Sequence, residues 1–262
     1  MFLFSLLLNA VAAPLTCKEI QTQSSTEPIH AIHRMIQQES LEEGAAVCLE
    51  KKNLSHLLPS EAADLIAPDR YYVRVQTTKG DILIEINRDW SPLGADRFYT
   101  LIQKQFFQDI PFFRVIRGFM AQFGLHSQPE ENRYWKEKPI QDDPSNQSNL
   151  RGFISFATAG PNTRTTQLFI NTANNPNLDS MGFTPIGKIV DTPQNPGMQI
   201  IDTLFSGYGE GHPSGRGPSQ ELIQKLGTSF LKEHYPYLDY IKNIQVCTNP
   251  QPSSTKDCRS EG

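Results

Sequence analysis

From Tyr71 onward the chain breaks into short bursts of alternating apolar and polar positions. "YYVRVQTT" and "DILIEI" carry the two-residue period of half-buried strands and meet at Lys79-Gly80, a tight hairpin signal. "GADRFYTLIQKQFF" switches to helical spacing, with Phe98, Leu101 and Ile102 on one face. "FFRVIRGFMAQFG", Phe112 to Gly124, reads as a strand with Arg114, Ile116, Gly118 and Met120 on one face and Phe113, Val115 and Phe119 on the other. A bulge or bend at Gly118 re-aims the side chains beyond it, so that Arg114, Phe119, Met120 and Gln122 converge on one concavity. "GFISFAT" and "QLFINT" predict two strands bracketing the loop "AGPNTRT", and "FTPIGKIV" predicts another. "GMQIIDTLF" reads as a short helix, Pro218 to His234 as a longer one, and "LDYIKNIQV" as a closing strand. Many short strands with turn residues between them point to a mainly β domain, a closed antiparallel barrel.

The flanks have a different texture. "MFLFSLLLNAVAAP" begins with an apolar run, Phe2 to Leu8, followed by Ala10-Val11-Ala12, so residues 1–13 are expected to be a signal peptide. Residues 14–69 form a partly helical N-terminal extension: Glu27-Pro28 follows the capping candidates Ser25 and Thr26, and a second helix starts at Pro59-Ser60 and stops before Pro68. His30 and His33 share a face there and read as solvated helix residues rather than a metal pair. The barrel domain is expected over 70–246, with a tail from Cys247 to Gly262.

Composition narrows the function. The chain has 262 residues, a net charge of -4 and no basic stripe, which sets nucleic-acid binding aside. Beyond the leader no apolar run approaches the roughly 18 to 20 residues of a membrane span. The four cysteines, Cys17, Cys48, Cys247 and Cys258, lie in the flanks and suggest two disulfides with three possible pairings. None sits in a CxxC pair, so no zinc site or other cofactor is expected. Asn53 and Asn146 open glycosylation sequons. Together these features place the protein in the secretory pathway, the extracellular space or the periplasm. The loop "GYGEGHPSGRG" is not a phosphate cradle, because it lacks the P-loop lysine and the preceding strand, and reads as a flexible surface loop.

Three blocks, "FFRVIRGFMAQFG", "GFISFATAGPNTRTTQLFINT" and "NLDSMGFTPIGKIV", resemble in order and spacing the signature blocks of cyclophilins. The resemblance spans roughly Tyr71 to Val246 and implies an eight-stranded barrel capped by two helices with peptidyl-prolyl cis-trans isomerase activity. It implies Arg114 as the catalytic arginine, with Gln122 and Gln167 binding the peptide backbone or supporting the arginine. The proline pocket would be Phe119, Met120, Phe169 and Leu178. Ala157 and Thr158 fall where the family's backbone-binding Ala-Asn pair lies. Asn177 replaces a pocket tryptophan, which implies weak binding of cyclosporin-like ligands, and Phe183 stands for a histidine, with one extra residue between Leu178 and Gly187. The partners implied are proline-containing polypeptides, met by a monomer.

These residue types suit the chemistry. Rotation about an Xaa-Pro bond faces a barrier of roughly 18–20 kcal/mol from amide resonance, and no bond is made or broken. A guanidinium donating to the pyramidal prolyl nitrogen stabilises the twisted amide more than the planar one. An apolar floor grips the pyrrolidine ring and excludes water. Taken singly, Arg114 fits an ion-paired barrel residue and the apolar positions fit a core; together, at this spacing, they fit a site. The alternative is a module that binds proline segments with little turnover.

Overall fold

Alternation is carried through in the first hairpin. β1 (Arg70–Thr77) buries Tyr71, Val73, Val75 and Thr77, and β2 (Gly80–Asn87) turns Ile82, Ile84 and Ile86 into the same core. The two pair antiparallel from Arg70 opposite Asn87 to Thr77 opposite Gly80. In this computed structural model the described residues are 64–193, 195–249, 252 and 254–258. The expected leader, the helix from Glu27, His30, His33, Cys17, Cys48 and the Asn53 sequon lie outside them.

α1 (Pro92–Gln103) follows, burying Phe98, Leu101 and Ile102 as its spacing predicts. Its N-terminus is capped from a distance: the Leu93 and Gly94 N–H groups donate to the Asp143 carboxylate at 3.1 and 2.9 Å. The buried Arg164 closes this cap by donating to Asp143 at 3.0 Å, which ties the "AGPNTRT" loop to the helix. Then come β3 (Ile110–Pro111), β4 (Arg114–Ile116), β5 (Met120–Phe123), α2 (Pro129–Lys136), β6 (Phe153–Phe156), β7 (Leu168–Asn171) and β8 (Pro185–Ile189). A two-stranded ribbon, β9 (Asp191–Thr192) with β10 (Asn195–Pro196), leads to α3 (Gly197–Asp202). α4 (Gln220–Leu226), α5 (Leu231–His234) and β11 (Tyr240–Val246) complete the domain.

The main sheet has nine strands in the order β3-β11-β1-β2-β8-β6-β7-β5-β4, each pair antiparallel. It is a curled half-barrel, not the closed eight-stranded barrel expected from the sequence. Its edge strands, β3 and β4, are separated only by Phe112 and Phe113, so covalent continuity links the edges where a ladder of hydrogen bonds would close a barrel. The Phe112 N–H still donates to Asp239 O beside β11 at 2.9 Å, whereas two residues later Arg114 pairs with Gln122 of β5. The segment changes sides too abruptly to pair with both.

Three further expectations are corrected. Phe112–Gly124 is not one strand but a hairpin: Gly118 adopts φ +73°, and the Phe119 N–H donates back to Ile116 O at 3.0 Å. Pro218–His234 is not one helix but two, because Gly227 takes φ +74° where α4 ends. Asp64–Pro68 is not the end of a helix; it has no regular secondary structure and is tied to α1, with the Leu65 N–H donating to Thr100 Oγ1 and the Ala67 N–H to Asp96 Oδ1. α2 went unpredicted because "PEENRYWK" buries only Asn132 and Trp135, too few positions to show a helical stripe. No described helix is long and apolar enough to cross a membrane.

Candidate functional site

The β4–β5 hairpin places the site. Because β4 and β5 face each other residue by residue, Arg114 lies opposite Gln122 and Ile116 opposite Met120. The intervening positions, Val115, Ala121 and Phe123, enter the main core. Arg114, Met120 and Gln122 therefore project from the other face, where Gln122 pairs with Phe169 of β7. There Met120, Phe169 and Leu178 form a separate apolar cluster, joined by Ile116, Phe119, Ala157 and Phe183. A cleft of about 610 Å³ opens onto this cluster.

A line of polar contacts crosses its floor. Arg114 Nη1 donates to Gln122 Oε1 at 3.0 Å, and Gln122 Nε2 donates to Gln167 Oε1 at 2.9 Å. The same Nη1 lies 3.8 Å from Met120 Sδ, and the guanidinium carbon sits 5.9 Å from the centre of the Phe119 ring. The guanidinium is thus laid along the apolar cup. The Phe183 ring meets Phe169 edge-on, with centroids 5.6 Å apart, so Phe183 is a wall of the cleft despite the extra residue in its loop.

That wall is held by buried asparagines. Asn175 donates to Phe119 O at 2.9 Å and to Asn171 Oδ1 at 2.7 Å. Asn149 donates to Asp179 Oδ1 and to Phe183 O, each at 2.8 Å, which fixes the 3-10 turn Pro176–Met181 that carries Leu178. Ala157 and Thr158 line the cleft beside Gln167. The Ala157 N–H is committed to Gln167 O at 2.9 Å, and Thr158 Oγ1 contacts Thr163 Oγ1 and Gly160 O within its own loop. All ten expected site residues line one cleft. Asn177 is exposed and stands outside the lining.

Sequence reasoning missed Glu210. Its carboxylate takes two hydrogen bonds from Arg114, Nε to Oε1 at 2.6 Å and Nη2 to Oε2 at 2.7 Å. The Arg114 guanidinium holds the Glu210 carboxyl below the usual carboxylate range, against the opposing effect of burial, and the Gly211 N–H adds to the lowering. The glycine-rich loop is therefore docked on the site at this point. A signal was present: Glu210 is the one carboxylate in "GYGEGHPSGRG", and a half-buried arginine needs a partner. Lys136 of α2 and Gln220 and Gln224 of α4, also unforeseen, line the cleft too. Among the described residues no group of three or more His, Cys, Asp or Glu side chains could share a metal ion.

Comparison with known proteins gives the family. Residues 72–222 match the model of the family described as cyclophilin type peptidyl-prolyl cis-trans isomerase/CLD. Human peptidyl-prolyl cis-trans isomerase-like 3 is 34% identical over 136 residues, covering 50% of this chain and 80% of that protein. Peptidyl-prolyl cis-trans isomerase-like 2 of Emericella nidulans is 30% identical over 202 residues, covering 73% of this chain and 33% of its own length. The chain thus spans about a third of that second relative. A crystal structure of a Cryptosporidium parvum cyclophilin type peptidyl-prolyl cis-trans isomerase is similar at 22% identity and a TM-score of 0.49, covering 69% of this chain and 99% of that one. With more than half of its length matched by the family model, this chain belongs to the cyclophilin-type peptidyl-prolyl cis-trans isomerase family.

Proposed function

We propose that the protein accelerates rotation about Xaa-Pro bonds by holding the twisted amide, without covalent chemistry. The observation that carries this reading is the guanidinium of Arg114 lying beside Phe119 and Met120 in a cleft that Phe169 also lines. In this reading the apolar cup takes the pyrrolidine ring, and Arg114 donates to the prolyl nitrogen as its lone pair develops. Gln122, oriented by its bonds to Arg114 and Gln167, holds the neighbouring carbonyl. Ala157 and Thr158 flank the extended peptide.

We propose secretory, extracellular or periplasmic substrates as well. Support comes from the apolar run Phe2 to Leu8 and from the Cys247–Cys258 disulfide, a bond that persists in oxidising compartments. A proline-peptide isomerisation assay tests the mechanism: Arg114→Ala is expected to lose on the order of 2–4 kcal/mol of transition-state stabilisation, as when one preorganised donor is removed. An unchanged rate would refute the assignment. NMR exchange spectroscopy separates turnover from simple retention, since cis and trans peptide signals exchange in the presence of the wild type only if it catalyses.

A further inference from the structure

We infer that Glu210 is a positioning residue for the isomerisation, supplied by the glycine-rich loop to hold Arg114 with its Nη1 edge turned into the cleft. The inference rests on the reading of Arg114 given above. A guanidinium carries five N–H donors in a rigid fork. Glu210 takes the Nε and Nη2 edge with both carboxylate oxygens, at 2.6 and 2.7 Å. That fixes the plane of the fork. The Nη1 edge is left with Gln122 Oε1 at 3.0 Å and, at sulfur distance, Met120 Sδ at 3.8 Å. It is the edge that a prolyl nitrogen lying over the cup would meet. Because Gln122 Oε1 accepts from Arg114, the Gln122 amide is also oriented, with its Nε2 toward Gln167.

The loop is built around this carboxylate. The Gly211 N–H donates to Glu210 Oε1 at 2.9 Å, and the Gly217 N–H donates to Glu210 O at 2.8 Å. Gly209, at φ +61°, bridges to Val115, the neighbour of Arg114. A Cβ on Gly215 would collide with the Glu210 carbonyl, and one on Gly217 would lie 2.9 Å from it. An exposed ion pair formed in passing would need none of these constraints. A long side chain held in this way does not have to be ordered as the transition state forms, which is the condition for a preorganised donor.

Steady-state isomerisation kinetics on Glu210→Ala, Glu210→Gln, Gly215→Ala and Arg114→Ala test the assignment. Glu210→Ala is expected to lower kcat about tenfold while KM moves less than about twofold, as for loss of an interaction that acts in the transition state. Glu210→Gln keeps one acceptor and should fall between Glu210→Ala and wild type, and Gly215→Ala, which displaces the Glu210 backbone, should reproduce the kcat loss. In the Arg114→Ala background Glu210→Ala should add nothing. If Glu210→Ala is too unstable to assay, the 15N resonance of the Arg114 Nε–H in Glu210→Gln decides, and a position identical to wild type overturns the inference. A kcat that is unchanged or raised in Glu210→Ala overturns it too; a raised value would mean that the carboxylate only neutralises the guanidinium. A slow Arg114→Ala beside a normal Glu210→Ala overturns this inference alone, whereas a normal Arg114→Ala removes the site reading and this inference together.

Discussion

Each part of the Arg114 fork has a partner beside the apolar surface, two of them neutral and one a carboxylate. The pH dependence of the reaction depends on that arrangement. Arginine and glutamine side chains do not titrate in the working range, and Glu210, lowered by Arg114, stays ionised somewhat below the usual carboxylate range as well as above it. The expected kcat/KM is flat from about pH 5 to 9 and declines only in more acidic solution, as Glu210 takes up a proton and releases the fork. A pH-rate profile checks this. A step within that range would contradict this reading. Arg114, Met120 and Gln122 were legible as candidates because they sit close together in one sequence block. Glu210 was not, because it lies 96 residues from Arg114 and only the folded loop brings the two within a hydrogen bond.

At the scale of the element, the β4–β5 hairpin does most to make the site. One residue at positive φ, Gly118, turns a continuous apolar-polar stretch back on itself and puts alternate side chains of both arms on one outer face. The alternation was readable, but the reversal was not, since a glycine bulge and a glycine turn leave the same mark in a sequence. α2 offers a test of stability. His126, just before it, packs its ring 5.0 Å from Phe106, and its Nδ1 accepts from the Gln128 N–H. Burial pushes the imidazole from 6.5 down to about 4, against the smaller raising effect of that backbone bond. The folded state therefore binds fewer protons than the unfolded chain between those values. Stability should be complete above about pH 6.5 and fall by about 2 kcal/mol as the pH drops toward 4, with allowance for partial exposure. Thermal unfolding across pH 4.5 to 7 on wild type and His126→Gln measures this component. An equal slope in both proteins would place the acid sensitivity elsewhere.

Over the whole molecule, the site and the C-terminal staple sit far apart on the sheet. Cys247 and Cys258 form a disulfide that packs with Leu83, Tyr72 and Val190, and β2, which carries Leu83, lies four strands from β5 in the sheet order. Closing a span of 11 residues is worth about 3 kcal/mol in the chain-entropy account. Cys258→Ser should therefore lower the unfolding temperature while leaving the isomerisation rate as it was. Lost activity at an unchanged unfolding temperature would contradict this separation. The disulfide joins two of the four cysteines, a pairing their spacing left open among three. The sequence by itself determined the strands and the first helix, because alternation and helical spacing are local and each residue's side of its own strand follows from its neighbours. Most members of the cleft were legible only through the resemblance of three sequence blocks to cyclophilins. Only the tertiary structure decided that the sheet stays an open half-barrel, that Gly118 reverses the chain, and that Glu210 reaches Arg114. Each of those depends on which distant backbone groups meet, and a period of two or 3.6 residues carries no information about partners so far along the chain.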